Sequence, residues 1–170
     1  MRIIGGQYKG LNIDTSKIIK YRPTQARVRK SIFDVLTPFT YPNVLDLYSG
    51  SGILGFESAS RGAQSITFVD IDRSAIKLLN RNKNKFANNN FQIVKKKSIA
   101  YLRNVKENYD LIFADPPYGK ENYLDLMNIC IERLANNGKL VLEMRNNDFY
   151  FTEAIIKNYG DTKIIFFTKK

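Results

Sequence analysis

Hydrophobic positions along the chain alternate between short apolar runs and longer stretches with helical spacing. Five runs have the length and the β-branched or aromatic content of strands, at residues 44–49, 65–70, 91–94, 110–114 and 139–144. Between them the pattern predicts helices from the glycine-rich turn through about Gly62, over 73–86, over 98–105 and over about 123–134. A further helix is predicted within TQARVRKSIFDVL, residues 24–36, where apolar side chains recur every three or four positions.

Strands that alternate with helices predict a parallel, doubly wound sheet, because two parallel strands need a long crossover between them. The C-terminal stretch IIKNYGDTKIIFF has two β-rich segments around Tyr159-Gly160-Asp161, which predicts an antiparallel hairpin. Residues 136–138, Asn-Asn-Gly, predict a turn before the fifth strand. We therefore expect an α/β fold with a Rossmann-like sheet and a terminal hairpin, and a single domain over residues 1–170.

Composition excludes several classes of protein. The chain has one cysteine and no histidine, so Ser-His and Cys-His triads are excluded and a catalytic zinc is disfavoured. No metal site is expected. Hydrophobic residues make up 44% of the chain, yet no run approaches the ~18 apolar residues of a membrane span. We expect a soluble, cytoplasmic monomer.

Positive charge is concentrated at the N-terminus, which favours a polyanionic partner. The net charge is +11, and residues 1–30 hold eight Lys or Arg against one acid, Asp14. On the helix predicted within residues 24–36, Arg27 and Lys30 are expected to point outward. A solvated basic face is the alternative, but the density of cations favours contact between this extension (residues 1–40) and a phosphate backbone.

The turn after the first strand, DLYSGSGILG, has the chemistry of a cofactor loop. Gly50, Gly52 and Gly55 match G-x-G-x-x-G, and Asp70 follows Gly50 by 20 residues. Alone, this pattern is the dinucleotide fingerprint. Asp46 disfavours a dinucleotide because a pyrophosphate would bring two negative charges close to its carboxylate. S-adenosyl-L-methionine has an ammonium, a sulfonium and a ribose diol but no phosphate, so it is the predicted cofactor.

Asp115-Pro116-Pro117-Tyr118 follows the fourth predicted strand. Prolines end strands routinely, so a strand terminator is one interpretation. Ligands of doubly wound sheets, however, bind beyond the carboxyl ends of the strands, which places Asp115 at the transferable methyl group. A carboxylate and a fixed carbonyl can both accept hydrogen bonds from an exocyclic amine, and Tyr118 offers a face for a base. Asp115, Pro116 and Tyr118 are the predicted catalytic residues.

The whole chain resembles the RsmD-type ribosomal RNA methyltransferases, which methylate the exocyclic N2 of a guanine in small-subunit rRNA. The resemblance runs from RIIGGQYKG and RPTQARVRKSIFDVL through LDLYSGSGILGFESASRGA and FVDID to DPPYG and YGDTKIIFF. RPTQARVR and YGDTK are its specific parts, since the glycine loop and DPPY recur in many amino-methyltransferases.

This resemblance implies roles for individual residues. Asp46, Gly50 and Gly52 would hold the methionine end of the cofactor and Asp70 the ribose. The implied cofactor contacts are Thr24, Asp46, Tyr48, Gly50, Ser51, Gly52, Asp70, Ile71, Ser98 and Asp115. The implied RNA contacts are Arg22, Arg27, Arg29 and Lys30. After the third strand the family usually has an acid or amide and then alanine, where this chain has Lys97 and Ser98. Lys97 cannot accept a hydrogen bond from adenine, so the Ser98 hydroxyl or backbone is expected to replace that contact.

Other activities use the same motifs. An adenine-N6 methyltransferase on nucleic acid would need the same pocket, but DNA enzymes usually add a target-recognition domain. Protein glutamine methyltransferases more often have Asn at the position of Asp115. A catalytically silent RNA-binding assembly factor is disfavoured by the intact DPPY. The expected partner is small-subunit rRNA, either naked or within a partly assembled subunit.

Overall fold

The computed structural model describes residues 1–15, 26–87, 89–117, 119, 122–145 and 153–170. Within these residues helices and strands alternate as the sequence predicts. The helices are α1 (Ala26–Val35), α2 (Ile53–Ser60), α3 (Arg73–Lys83), α4 (Ser98–Asn104) and α5 (Tyr123–Glu132). The strands are β1 (Asn43–Leu47), β2 (Ser65–Asp70), β3 (Asn90–Lys95), β4 (Tyr109–Ala114), β5 (Leu134–Arg145), β6 (Ala154–Tyr159) and β7 (Thr162–Thr168).

The strands form one sheet in the order β3-β2-β1-β4-β5-β7-β6. β1 to β5 are parallel, whereas β7 runs antiparallel to both β5 and β6. The predicted α/β fold and the C-terminal hairpin are therefore confirmed. Leu47 of β1 is in register with Val69 of β2 and Ala114 of β4, so these three strands end at nearly the same level. The strand order reverses at β1, so the carboxyl ends of β1, β2 and β4 form the topological switch point of the sheet.

Several element boundaries differ from the prediction, and two of these differences have a clear local reason. β1 ends at Leu47 because Tyr48 has a left-handed backbone, with φ 56°. The turn expected at residues 136–138 is an irregularity inside β5, where the register against β4 shifts. The backbone of this segment forms hydrogen bonds with Lys169 near the C-terminus. The Asn137 N–H donates to the Lys169 carbonyl at 3.0 Å, and the Lys169 N–H donates to the Gly138 carbonyl at 2.9 Å.

Two apolar layers cover the sheet. One contains residues of α1, α2 and α3 and of the N-terminal hairpin, in which Arg2 and Asn12 form an antiparallel backbone β-bridge. The other contains residues of α4 and α5. Phe33 of α1 packs against Phe113 of β4, with ring centroids 5.9 Å apart, so α1 of the N-terminal extension is part of the core. No helix in the described ranges is long and apolar enough to span a membrane.

Candidate active site

A side chain would not fit at two glycines, one in the loop between β1 and α2 and one in the first turn of α2. Gly52 has φ 77°, and a Cβ there would lie 2.5 Å from Leu79 of α3. A Cβ at Gly55 would lie 2.3 Å from the Phe68 ring on β2. The missing side chains therefore let α2 begin directly against the sheet, with its N-terminus at the switch point.

Two buried carboxylates hold this loop. The Gly55 N–H donates to Asp46 Oδ2 at 3.0 Å, and the Gly50 N–H donates to Asp70 Oδ2 at 2.9 Å. Asp70 Oδ1 also accepts the Asp72 N–H at 2.8 Å. A carboxylate offers about four acceptor sites, so these bonds are compatible with a further donor from a ligand. The predicted cofactor residues Asp46 and Asp70 thus also fix the backbone of the glycine loop and the start of α2.

Carboxylates follow one another along the carboxyl ends of four neighbouring strands. Asp70 ends β2, Asp46 lies near the end of β1, and Asp115 follows β4 directly. Glu143 lies on β5 immediately after Leu142, the partner of Ala114, which brings it beside Asp115. We call these four residues the carboxylate row. Glu143 was not predicted as a site residue, although an acid in the apolar run KLVLEM was a usable signal.

The electrostatics of the carboxylate row favour a cationic ligand. The pKa of Asp46 is raised to about 8, mainly by burial; the hydrogen bond from the Gly55 N–H opposes the rise, and the nearby Asp70 adds to it. The pKa of Asp115 lies well above its usual value, because of burial first and then because of Glu143 and Asp46. A positive charge among these groups would favour their ionised forms. Within the described ranges, no three Asp, Glu or Cys side chains converge as metal ligands.

The other predicted cofactor residues lie around the same edge. Tyr48 and Ser51 are half-buried on the loop, and Ser98 is buried at the start of α4. Ile71 directly follows Asp70 and is 57% exposed, which is unusual for a large apolar side chain. Pro116 is buried. Arg22, Thr24 and Tyr118 lie outside the described residues.

The predicted RNA contacts divide into exposed and buried residues. Arg27 and Lys30 are exposed on α1, and Lys30 pairs with Asp34 at 2.8 Å. Arg29 is only 2% exposed, and its guanidinium donates to the Arg2 carbonyl at 2.9 Å. This placement is at odds with the prediction that Arg29 contacts RNA. The N-terminal hairpin covers that side of α1, so Arg29 joins the two elements instead.

Asn82 connects the glycine loop to the N-terminal segment. Its amide donates to the Ser51 carbonyl at 3.2 Å and to the Asp14 carbonyl at 3.1 Å, while its Oδ1 accepts the Asp14 N–H at 2.9 Å. Asn82 is fully buried on the apolar face of α3. A polar residue on that face was the sequence signal for this role, and it was overlooked.

Replacing Asn82 by alanine is expected to lower the free energy of unfolding by about 1–3 kcal/mol, because buried backbone groups lose their partners. Denaturant titration measures this loss. Asn80→Ala is the matched control: Asn80 is exposed on the same helix and donates to the Ile76 carbonyl of its own turn. Equal stabilities of the two variants would contradict the bridging role.

Comparison with known proteins agrees with this architecture. The model of the family Conserved hypothetical protein 95 matches residues 1–168. An uncharacterized methylase of Rickettsia prowazekii is 31% identical, with 97% of this chain and 96% of that protein covered. Ribosomal RNA small subunit methyltransferase D of Escherichia coli K12 is 32% identical, with coverage of 84% and 71%.

A solved hypothetical protein of Thermus thermophilus superposes with a TM-score of 0.84 at 26% identity, over 98% of each chain. Sequence and fold similarity thus both extend over nearly the whole chain. The chain belongs to the family Conserved hypothetical protein 95, the family of the proteins named ribosomal RNA small subunit methyltransferase D.

Proposed function

We propose that the chain is an S-adenosylmethionine-dependent methyltransferase that modifies the exocyclic N2 amine of a guanine in small-subunit ribosomal RNA. One observation carries the proposal: β1, which bears Asp46 and leads into the glycine loop, pairs with β4, which leads into Asp115 of the DPPY motif, so both motifs lie at the switch point. A methyl donor on one side and an amine on the other would meet there. Family membership and the names of the relatives support the same reaction.

The residues of the site fit S-adenosylmethionine better than a dinucleotide. The carboxylate row repels a pyrophosphate but attracts an ammonium and a sulfonium. Asp70 stands where the next strand ends, in reach of a ribose diol. The exposed Ile71 beside it offers an apolar surface for adenine, and Ser98 offers a hydroxyl. We therefore keep the predicted cofactor contacts as part of this proposal.

The chain's residues prepare the amine for transfer. S-adenosylmethionine supplies a methyl group on a sulfonium that is already a good leaving group. Asp115 and the Pro116 carbonyl would accept hydrogen bonds from the amine and aim its lone pair at the methyl carbon. When the N–C bond forms, the C–S electron pair stays on sulfur and the amine must lose a proton. Asp115 would receive that proton, and the neighbouring Glu143 would share it.

A strongly basic chain suits an RNA substrate, and its net charge is +11. The names of the small-subunit relatives favour small-subunit RNA over other RNA. We propose a monomer as the active form, because the carboxylate row and the glycine loop come from one chain. Adenine N6 is the alternative target amine.

Transfer of labelled methyl groups tests this function. The wild-type protein is incubated with labelled S-adenosylmethionine and either naked rRNA or ribosomal subunits from cells that lack the enzyme. We expect label in small-subunit RNA, and comparison of the two substrates shows which one the enzyme prefers. Label confined to large-subunit RNA or to transfer RNA, or no label in any RNA, would contradict the proposal.

A further inference from the structure

A second concentration of positive charge lies outside the N-terminal extension. Residues 73–106 hold ten Lys or Arg and no Asp or Glu. Outside this segment and residues 1–30, the chain holds nine Lys or Arg against fifteen Asp or Glu. The ten cations are Arg73, Lys77, Arg81, Lys83, Lys85, Lys95, Lys96, Lys97, Arg103 and Lys106.

The fold gathers this segment along one edge of the domain. β3 is the outermost strand on its side of the sheet, α3 packs in one apolar layer and α4 in the other. Eight of the ten cations are exposed. We call these eight the cationic edge: Arg73, Lys77, Arg81, Lys95, Lys96, Lys97, Arg103 and Lys106.

Some of these charges oppose folding of α3, although Arg81 and Arg103 lie in the last turns of their helices, where the macrodipole favours a cation. Arg73, Lys77 and Arg81 follow one another at four-residue spacing on α3, where like charges repel. Arg73 also begins the helix, where the macrodipole disfavours a cation; the Asp72 cap beside it offsets this only in part, because the first turn itself has no acid. Lys85 pairs with Asp14 at 2.7 Å, but Asp14 comes from outside the segment. Such a pattern is expected where an external anion offsets the repulsion.

The cationic edge reaches the candidate active site. Lys95 is in register with Asp70, and the Lys96 N–H donates to the Asp70 carbonyl at 3.1 Å. Lys97 directly precedes Ser98 at the start of α4. A chain of phosphates along this edge would therefore reach the cofactor side of the candidate site, two strands away from Asp115. By contrast, the extension has Arg29 buried and Lys30 paired with Asp34.

We propose that the cationic edge binds the phosphate backbone of the RNA that flanks the target base, without reading its sequence. The inference rests on the proposed function, because it assigns the edge to the substrate of that reaction. Binding of this kind releases counterions, so the affinity falls steeply with salt.

Two triple variants that remove the same number of charges test the edge. Arg73→Gln, Lys77→Gln and Lys96→Gln together remove three charges from it. The control removes three from the β5–β6 side and the C-terminus: Lys139→Gln, Lys157→Gln and Lys170→Gln. Both lower the net charge equally. Because the edge residues are exposed and Arg73 opposes its helix dipole, the edge variant is expected to melt at or above the wild-type temperature.

Affinity for a fluorescent fragment of small-subunit rRNA is measured against salt concentration. In a plot of log affinity against log salt concentration, the slope of the edge variant is expected to be shallower by about 2, at ~0.7–0.9 per phosphate contact. The control should keep nearly the wild-type slope. The single-turnover methylation rate of the edge variant at saturating RNA should stay near wild type. Only the RNA concentration needed to reach saturation should increase. Equal slopes for the two variants would overturn the inference, because the cationic edge would then be a solvated surface that does not contact RNA.

The same measurements separate the inference from the proposed function. If the wild type methylates rRNA and the edge variant binds RNA normally, the inference fails and the function stands. If the edge variant loses RNA binding but the wild type transfers no methyl group to rRNA, the function fails and RNA docking stands. Loss of binding to anionic phospholipid vesicles, with RNA binding unchanged, would overturn the inference in favour of a membrane surface.

Discussion

Asp115→Ala is expected to slow the methyl-transfer step by about 10²–10³-fold, the usual cost of removing one preorganised hydrogen-bonding group. The carboxylate follows β4 at the switch point, beside both Asp46 and Glu143. Its loss removes an acceptor for the amine and for the departing proton. Single-turnover rates with saturating enzyme on unmethylated small-subunit rRNA isolate this step from binding.

Two further variants separate the roles of the carboxylates. Asp115→Asn keeps an oxygen that can accept a hydrogen bond but cannot take a proton, so its rate should fall between wild type and alanine. Glu143→Gln should change the rate much less than Asp115→Ala, because it affects only the sharing of that proton. The two Asp115 variants should keep the wild-type melting temperature or exceed it, since each removes a buried acid from the carboxylate row. A wild-type rate for Asp115→Ala would mean that Asp115 only terminates a strand.

Asp46→Asn is expected to stabilise the empty protein near pH 8 while weakening S-adenosylmethionine binding at least about tenfold. In the unfolded chain this carboxyl ionises above ~3.9, whereas in the folded protein its pKa is about 8. Its contribution to stability is complete below the unfolded pKa and is lost as the pH rises through the folded value. The free energy of unfolding falls by a few kcal/mol in total, at about 1.4 kcal/mol for each pKa unit between the two states. Asparagine still accepts the Gly55 N–H and does not titrate.

Melting curves from about pH 5 to 9 and calorimetric titration measure both effects. The wild type should lose stability across this range, the Asp46→Asn protein much less. The affinity for S-adenosylmethionine should rise with pH more steeply in the wild type than in the Asp46→Asn protein, because the ionised Asp46 carboxylate is the form that attracts a sulfonium. Asp161→Asn, at an exposed carboxylate in the β6–β7 turn, is the control. Parallel stability profiles of wild type and Asp46→Asn would contradict the account of Asp46.

The sheet and the meeting of Asp46 with Asp115 were predictable from sequence. Strand–helix alternation implies parallel strands, and parallel strands end at a common edge. Once β1 and β4 are taken as neighbours, the acids that close them must lie near each other. Tyr48 was harder to place, because the left-handed backbone that ends β1 depends on the whole loop.

Three features depended on tertiary contacts that periodicity does not report. Glu143 lies beside Asp115 only through the register of β5, which an irregularity at 136–138 sets. Arg29 is buried because the N-terminal hairpin covers α1 beyond its apolar stripe. Asn82 has partners 31 and 68 residues away along the chain. In each case the environment of the residue is supplied by distant segments.

Nucleoside analysis of the methylated RNA tests the central proposal most directly. Small-subunit rRNA from cells lacking the enzyme is incubated with the wild-type protein and labelled S-adenosylmethionine, digested to nucleosides and resolved by mass spectrometry. We predict that the label appears as N2-methylguanosine with the wild type and is nearly absent with Asp115→Ala. Label in N6-methyladenosine, or equal N2-methylguanosine with both proteins, would contradict the assignment of a guanine-N2 amine to the site at Asp115.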